Sequence, residues 1–257
     1  MAATIISIAN QKGGVGKTTS AAGRKVLLID LDPQANATSG LGFEKKENQS
    51  IYSALLGEGD LDDKIQETRY KNLSIVTGEV DLCGAEVELA KVDDRLQRLQ
   101  NTLNRLLPKT DYDLVVIDCP PSLGILTLNA FGASDFLLVP IQCEYYALEG
   151  ISMIIRLLNQ IQESGTNPDL KLIGVLMTMF DGRTNLSHQV VEEVRTHFSD
   201  VVFETVIPRA TRLAEAPSFG QAITEYDRCS VGSAAYEVLA LEVMERLESH
   251  DGKSAEK

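Results

Sequence analysis

The residues best placed to do chemistry lie near the amino terminus, in Asn10-Gln11-Lys12-Gly13-Gly14-Val15-Gly16-Lys17-Thr18-Thr19. Three glycines, two lysines and two threonines follow an apolar run, TIISIAN (4 to 10). That combination suits a phosphate group. Glycines let backbone N–H groups wrap an anion, Lys17 can neutralise phosphate charge, and the Thr18 hydroxyl can ligate Mg²⁺. The spacing departs from the general phosphate loop GxxxxGK[ST], whose first glycine would fall at Gln11.

Two further segments offer carboxylates at the ends of apolar runs. In LLIDLDPQ, Asp30 and Asp32 alternate along an extended chain and so share one face. In LVVIDCPPS, Asp118 closes a β-branched run, where a carboxylate can hold Mg²⁺ directly or through water. A cap or turn acid is the alternative reading for each, and for Asp30 the two readings are evenly balanced.

The rest of the chain reads as scaffold for these groups. Runs at 4–10, 25–31, 73–76, 114–118, 136–140, 172–179 and 201–207 are continuously apolar or β-branched, as strands covered on both faces require. Helical spacing intervenes at Leu96, Leu99, Leu103 and Leu106, at Ile151 to Ile161, at Val190, Val194 and Phe198, and at Leu239, Val243 and Leu247. The expected fold class is α/β: a doubly wound, mostly parallel sheet with helices on both faces and its ligands beyond the carboxyl ends of the strands. One domain is expected over 1–248, with 249–257 a frayed, disordered tail.

Composition narrows the functional classes. The 257 residues are 44% hydrophobic, and Lys+Arg 24 against Asp+Glu 37 gives a formal net charge of -13, so any polyanion must meet a restricted patch. No apolar run reaches the length of a membrane span and the amino terminus lacks a signal-peptide pattern, so a soluble cytoplasmic protein is expected. The four cysteines are far apart, which argues against a disulfide scaffold and a zinc site, and Cys119 and Cys143 lie in apolar context rather than on the glycine-rich face that iron–sulfur ligation needs. His188, His197 and His250 have no paired spacing or nucleophile partner, and Tyr145 and Tyr146 read as packing at a helix start.

The string KGGVGKT resembles the deviant Walker A motif of the ParA/MinD family of P-loop ATPases. The likeness extends through DPQANATSGLG, GAEVELA, DCPPSLGILTLNA, PIQCEYYALEG, TMFDGRTNLSHQV and VIPRATRLAEAPSFG, which look like its chromosome-partitioning branch. The resemblance implies an ATP- and Mg²⁺-dependent, slow ATP hydrolase that forms an ATP-sandwich homodimer, binds double-stranded DNA non-specifically at the nucleoid and is stimulated by a ParB-like partner. It assigns Lys12 as the signature lysine reaching the other subunit's phosphates and Lys17 as the lysine acting within its own subunit. Gly13, Gly14, Val15, Gly16, Thr18 and Thr19 form the cradle, Asp32 orients water, and Asp118 and Thr18 manage the metal.

Arg183 and Arg212 map onto the family's DNA-binding arginines, with Arg209 and Arg228 as possible additions. Pairing with a neighbouring carboxylate is the alternative for each. Pro208 and Ala210 map onto the adenine-reading loop, where relatives commonly carry Asn in place of Ala210. Membrane attachment of the MinD kind is disfavoured, because LALEVMERLESHDGKSAEK carries more acid than base.

One segment departs from the family. Only Ser20 to Lys25 connect Thr19 to the second strand, a deficit of roughly nine residues or about two and a half helical turns. A crossover this short must strain, rearrange or leave part of a core face uncovered. Either it is a genuine shortened variant in which Ser20 to Gly23 form one turn, or it is a damaged or misassembled copy whose switch is impaired, leaving a nucleotide-binding interaction protein that does not hydrolyse.

Overall fold

The computed structural model describes residues 3–9, 24–46 and 48–254. All seven expected strands are present: β1 (Thr4–Ile8), β2 (Val26–Asp30), β4 (Leu73–Val76), β5 (Leu114–Asp118), β6 (Phe136–Gln142), β7 (Lys171–Phe180) and β8 (Val202–Pro208). A two-residue strand, β3 (Gln66–Glu67), was not anticipated; it is too short to carry a periodic signal. The strands form one sheet in the order β3-β4-β2-β5-β1-β6-β7-β8, parallel except for β3.

Strand β2 is buried along its whole length, and the alternation within the strands feeds two cores. Leu27, Ile29, Val115 and Ile117 face one; Val26, Leu28, Leu114 and Val116 face the other. The first core is covered by α2 (Tyr52–Leu56), α3 (Leu82–Leu89), α4 (Arg98–Leu106), α5 (Ile125–Ala133), α6 (Ala147–Glu163) and α7 (Asn185–Phe198). The second lies under α1 (Asn36–Gly40), α8 (Thr211–Glu215), α9 (Ile223–Tyr226) and α10 (Val231–Ser254). The helical spacings at 151–161, 190–198 and 239–247 fall in α6, α7 and α10, whereas Leu96 precedes α4. Several short helices lacked enough periodic positions to be read from sequence.

Pro140 sits inside β6, a position that needs explaining because proline cannot donate to a ladder. Ala9 N donates to Leu138 O at 3.2 Å, and the registered pairing of β1 with β6 ends at Leu138. Two residues on, Pro140 turns its missing N–H to the same side, past the end of β1.

At the far edge, α10 clamps β8. Glu242 accepts from Glu204 N at 2.8 Å, Thr205 N at 3.0 Å and Thr205 Oγ1 at 2.7 Å. Arg246 donates to the carbonyls of Ile173, Val201 and Val202 and lies 4.0 Å from the Phe203 ring centroid. A Cβ on Gly174 would fall 2.4 Å from that ring and 2.7 Å from Arg246 Nη1, so the strand must carry glycine there. Side-chain groups thereby occupy edge positions that an added strand would otherwise use.

Helix α10 runs to Ser254; near its end Ser249 Oγ donates to Arg246 O at 2.8 Å and the His250 ring lies 5.3 Å from that of Phe136. Arg24, at the entrance to β2, pairs with Glu248 at 3.1 Å. The short connection at Ser20–Gly23 lies outside the described residues.

Burial alone would raise the Glu242 pKa, but the bonds from Thr205 and the Glu204 amide outweigh it and bring it below the usual 4.5. A depressed folded value means that the contribution is present above the unfolded pKa and fades as pH falls through the folded one. Glu242→Gln is therefore expected to lower unfolding free energy by about 1–3 kcal/mol at neutral pH. Urea titrations across pH should show that deficit narrowing below the usual glutamate range; a pH-independent deficit would refute the charged clamp.

Candidate functional site

The parallel register brings three strand ends together. Ile8 at the end of β1 is the partner of Asp118 on β5, and Asp118 is the partner of Asp30 on β2. The backbone closes the group: Cys119 N donates to Ile8 O at 3.1 Å and Leu31 N to Asp118 O at 2.9 Å. Beyond Ile8 the chain enters the glycine-lysine segment. Lys12, Gly13, Gly14, Val15, Gly16, Lys17, Thr18 and Thr19 lie outside the described residues, so the carboxylates carry the local geometry.

All three aspartates are buried, but their surroundings differ. Asp30 Oδ2 accepts from Thr38 N at 2.8 Å and Thr38 Oγ1 at 2.7 Å, while Oδ1 accepts from Asp32 N at 3.3 Å. Thr38 Oγ1 accepts in turn from Gly78 N at 2.8 Å. This chain of bonds ties the end of β2 to α1 and to the end of β4. Burial pushes the Asp30 carboxyl above its ordinary value against the pull of the Thr38 donors. The arrangement is that of a turn-holding acid, one of the two readings open for Asp30.

Asp32 sits one turn further along. Its Oδ1 accepts from Gln34 N at 2.9 Å and its carbonyl from Ala35 N at 2.8 Å, bending the chain so that Ala35 enters left-handed space at φ 50°. Gly78 closes the other side: a Cβ there would lie 3.0 Å from both Asp30 Cγ and Asp32 O. Thr38 and Gly78 were not singled out in sequence, since neither stands at a strand-end acid position. Glu79, also missed, is a buried acid that accepts from Asn48 N at 2.9 Å and from Ser50 Oγ.

Across the sheet, Pro208 ends β8, three strand spacings from β1, or roughly 15 Å. Arg209 N donates to Phe180 O at 2.8 Å, and Ala210 opens α8 in extended conformation. Pro208 and Ala210 thus stand at the same carboxyl edge as the aspartates without touching them in the register. Arg209 pairs with Glu144 at 3.6 Å.

Arg183 and Arg212 are both on the surface and both paired. Arg183 Nε donates to Asp181 Oδ1 at 2.8 Å and its Nη2 to Oδ2 at 2.7 Å, while 86% of the arginine side chain remains exposed. Asp181 is held well below the carboxylate range by that guanidinium. Arg212 bonds Glu215 at 3.0 Å, lies 3.5 Å from Asp227 and leans over Tyr226. The carboxylate pairing weighed for these arginines is what they adopt; Arg228 is exposed.

A mostly parallel sheet with buried acids at adjacent strand ends beyond a glycine-lysine segment defines the P-loop class of α/β protein. The family model described as "AAA domain" matches residues 3–172. The chain is 50% identical over 253 residues to the chromosome partitioning protein ParA of Myxococcus xanthus, covering 94% of this chain and 88% of that protein. It is 49% identical over 249 residues to the sporulation initiation inhibitor protein Soj of Bacillus subtilis, covering 93% and 97%. Among solved structures, cobyrinic acid a,c-diamide synthase from Mycobacterium smegmatis with bound ADP and magnesium superposes with TM-score 0.80 at 35% identity, covering 96% of each chain. The cell division ATPase MinD of Pyrococcus furiosus gives TM-score 0.74 at 27% identity over 94% of this chain and 98% of that one. The chain belongs to the ParA/MinD family of P-loop ATPases, in its ParA/Soj branch.

Thr38→Val removes a donor to Asp30 and the acceptor for Gly78 N in one step. Chemical unfolding should report a loss of about 2–4 kcal/mol. A loss below about 0.5 kcal/mol, the range of ordinary surface substitutions, would show that another contact holds this loop.

Proposed function

We propose that this chain is a Mg²⁺-dependent ATP hydrolase that works as a partitioning switch: ATP drives a sandwich homodimer, the dimer holds non-specific DNA, and a ParB-like protein speeds hydrolysis. The observation that carries the reading is the register of Ile8, Asp118 and Asp30, with KGGVGKTT following β1 in the sequence. The names of the ParA and Soj relatives and the ADP and magnesium of the structural neighbour support it.

The donor chemistry suits the metal. Mg²⁺ prefers hard oxygen ligands and retains several waters, so one buried carboxylate, Asp118, with the Thr18 hydroxyl and phosphate oxygens is a sufficient set. When bound, the ion neutralises charge on the phosphates. Lys17 serves its own subunit's phosphates and Lys12 those of the partner. Gly13 to Gly16 supply amides, and Thr19 completes the cradle. Asp32 orients the attacking water, a role consistent with its burial and its short turn; Asp30 holds that turn in place. Pro208 and Ala210 bound the base, with backbone contacts replacing any Asn side chain at 210.

The protein would act in the cytoplasm on the nucleoid. Among the described residues no helix is long and apolar enough to cross a membrane. Both family alignments run over more positions, 253 and 249, than 94% and 93% of a 257-residue chain can fill, so the relatives carry residues that this chain lacks. A second reading, in which the shortened connection leaves binding intact and abolishes turnover, rests on those missing residues falling between Thr19 and Val26. Phosphate release in the presence of DNA and ParB separates the two.

Lys17→Ala is expected to abolish ATP binding in calorimetry. Lys12→Ala should still bind ATP yet remain monomeric in sedimentation; normal ATP-dependent dimerisation of that variant would overturn the sandwich assignment.

The Arg183 pair offers a second test. If Arg183 meets phosphate, Asp181 competes with DNA for the same guanidinium, so Asp181→Asn should tighten DNA retention. Arg183→Ala and Arg212→Ala should each weaken it across all sequences and reduce the salt slope by about one. ATP-dependent dimerisation should be unchanged in all three variants, and an Asp181→Asn protein that binds DNA more weakly would contradict the assignment.

A further inference from the structure

Helix α10 has two apolar faces, although a helix on a protein surface ordinarily has one. The inner face, with Tyr236, Leu239, Val243 and Leu247, is buried in the second core. On the outer face Val231, Ala234, Val238 and Leu241 recur at steps of three, four and three, the spacing of a seam that meets another helix. They are open to solvent: Val231 is 69% exposed, Val238 55% and Leu241 56%. Beside them a groove of about 670 Å³ runs between α10 and the edge of β8, with Val238 and Leu241 on one wall and Glu204 and Glu245 on its rim.

The rim decides what can lie there. Glu204 is 91% exposed, and Glu237, Glu245 and Glu248 point outward along the same helix. The nearby cations are already engaged: Arg246 on the carbonyls of β7 and β8, Arg195 on Glu204 O and, at 3.7 Å, on the Glu204 carboxylate, and Arg24 on Glu248, which leaves Glu237 and Glu245 as the rim acids to which no arginine pairs among the described residues. A second copy would bring the same acids against these, and anionic lipid headgroups would be repelled in the same way. A helix with apolar residues at 3–4 spacing and flanking lysines or arginines satisfies both the seam and the rim.

We propose that the outer face of α10 is a docking surface for a basic amphipathic helix of a partner protein. Val238 and Leu241 anchor it, and Glu237 and Glu245 set its charge. The surface goes beyond the nucleotide switch and is independent of it, since none of its residues belongs to the nucleotide or DNA sites described above.

The probe is a synthetic stapled helix with leucines at the seam positions and lysines beside them, labelled for fluorescence anisotropy and titrated with the full-length protein without nucleotide. A counterpart with glutamates in place of the lysines is the control. The lysine helix should bind, and Val238→Ser combined with Leu241→Ser should weaken it about tenfold. Glu237→Gln with Glu245→Gln should weaken it and flatten its salt dependence. Both variants alter exposed positions, and unchanged circular dichroism and melting temperature will show that the fold is kept.

The proposal is overturned by absence of binding, by equal binding of the glutamate helix, or by affinity that neither variant changes. It is also overturned if Val238 and Leu241 prove to drive self-association in sedimentation, or retention on phosphatidylglycerol vesicles. ATP calorimetry on the same samples reads the nucleotide site separately, so failure of either reading leaves the other standing.

Discussion

Burying carboxylates at the ends of parallel strands is the constraint on which this structure turns. The order β2-β5-β1 places Asp30, Asp118 and the exit of β1 in one register, inside a sheet whose faces are both covered. A carboxylate taken from water must find donors or lose its charge. Asp30 finds Thr38, whose hydroxyl also answers the Gly78 amide, so a single side chain satisfies groups from two strands. Asp32 finds the Gln34 amide, at the expense of forcing Ala35 into left-handed space. The loop after β2 is therefore shaped from within by its acids. Gly78 is small because those acids and Ala35 fill the room that a side chain would take.

Charge is distributed by the same logic at longer range. With an excess of acids, an exposed arginine meets a carboxylate easily, and Arg183, Arg209 and Arg212 have each done so. Such surface pairs contribute little to stability, on the order of 0–1 kcal/mol. They can still set the threshold at which a guanidinium transfers to a phosphate, because the competing anion is already in place. An acidic molecule can thereby present basic groups whose availability is graded by their neighbours.

The strands were legible in sequence because a parallel sheet covered on both faces requires unbroken apolar runs, which few other elements produce. Asp118 was legible for the same reason: an acid ending such a run is conspicuous. The even balance over Asp30 reflects a real limit of one-dimensional reading. Its partner, Thr38, is eight residues away and reaches it only through the α1 turn, and Gly78 comes from the loop after β4. Helices such as α2, α8 and α9 carry too few residues to display a period. The polar end of α10 carries no periodic signal of its own; Ser249 contacts Arg246, and His250 meets Phe136, a residue distant in sequence.

The clamp on β8 and the outer seam of α10 belong to one arrangement. To hold Glu204 and Thr205, the helix must present Glu242 and Arg246 toward the strand edge. With the inner apolar residues directed at the core, helical geometry then sends Val238 and Leu241 to the remaining side. A polar pair at those two positions would meet the demands of the fold equally well, since neither residue covers core. Their apolar character is thus unexplained by folding, and the acids beside them would repel another copy of the same surface. What the seam and its rim fit together is a cationic helix.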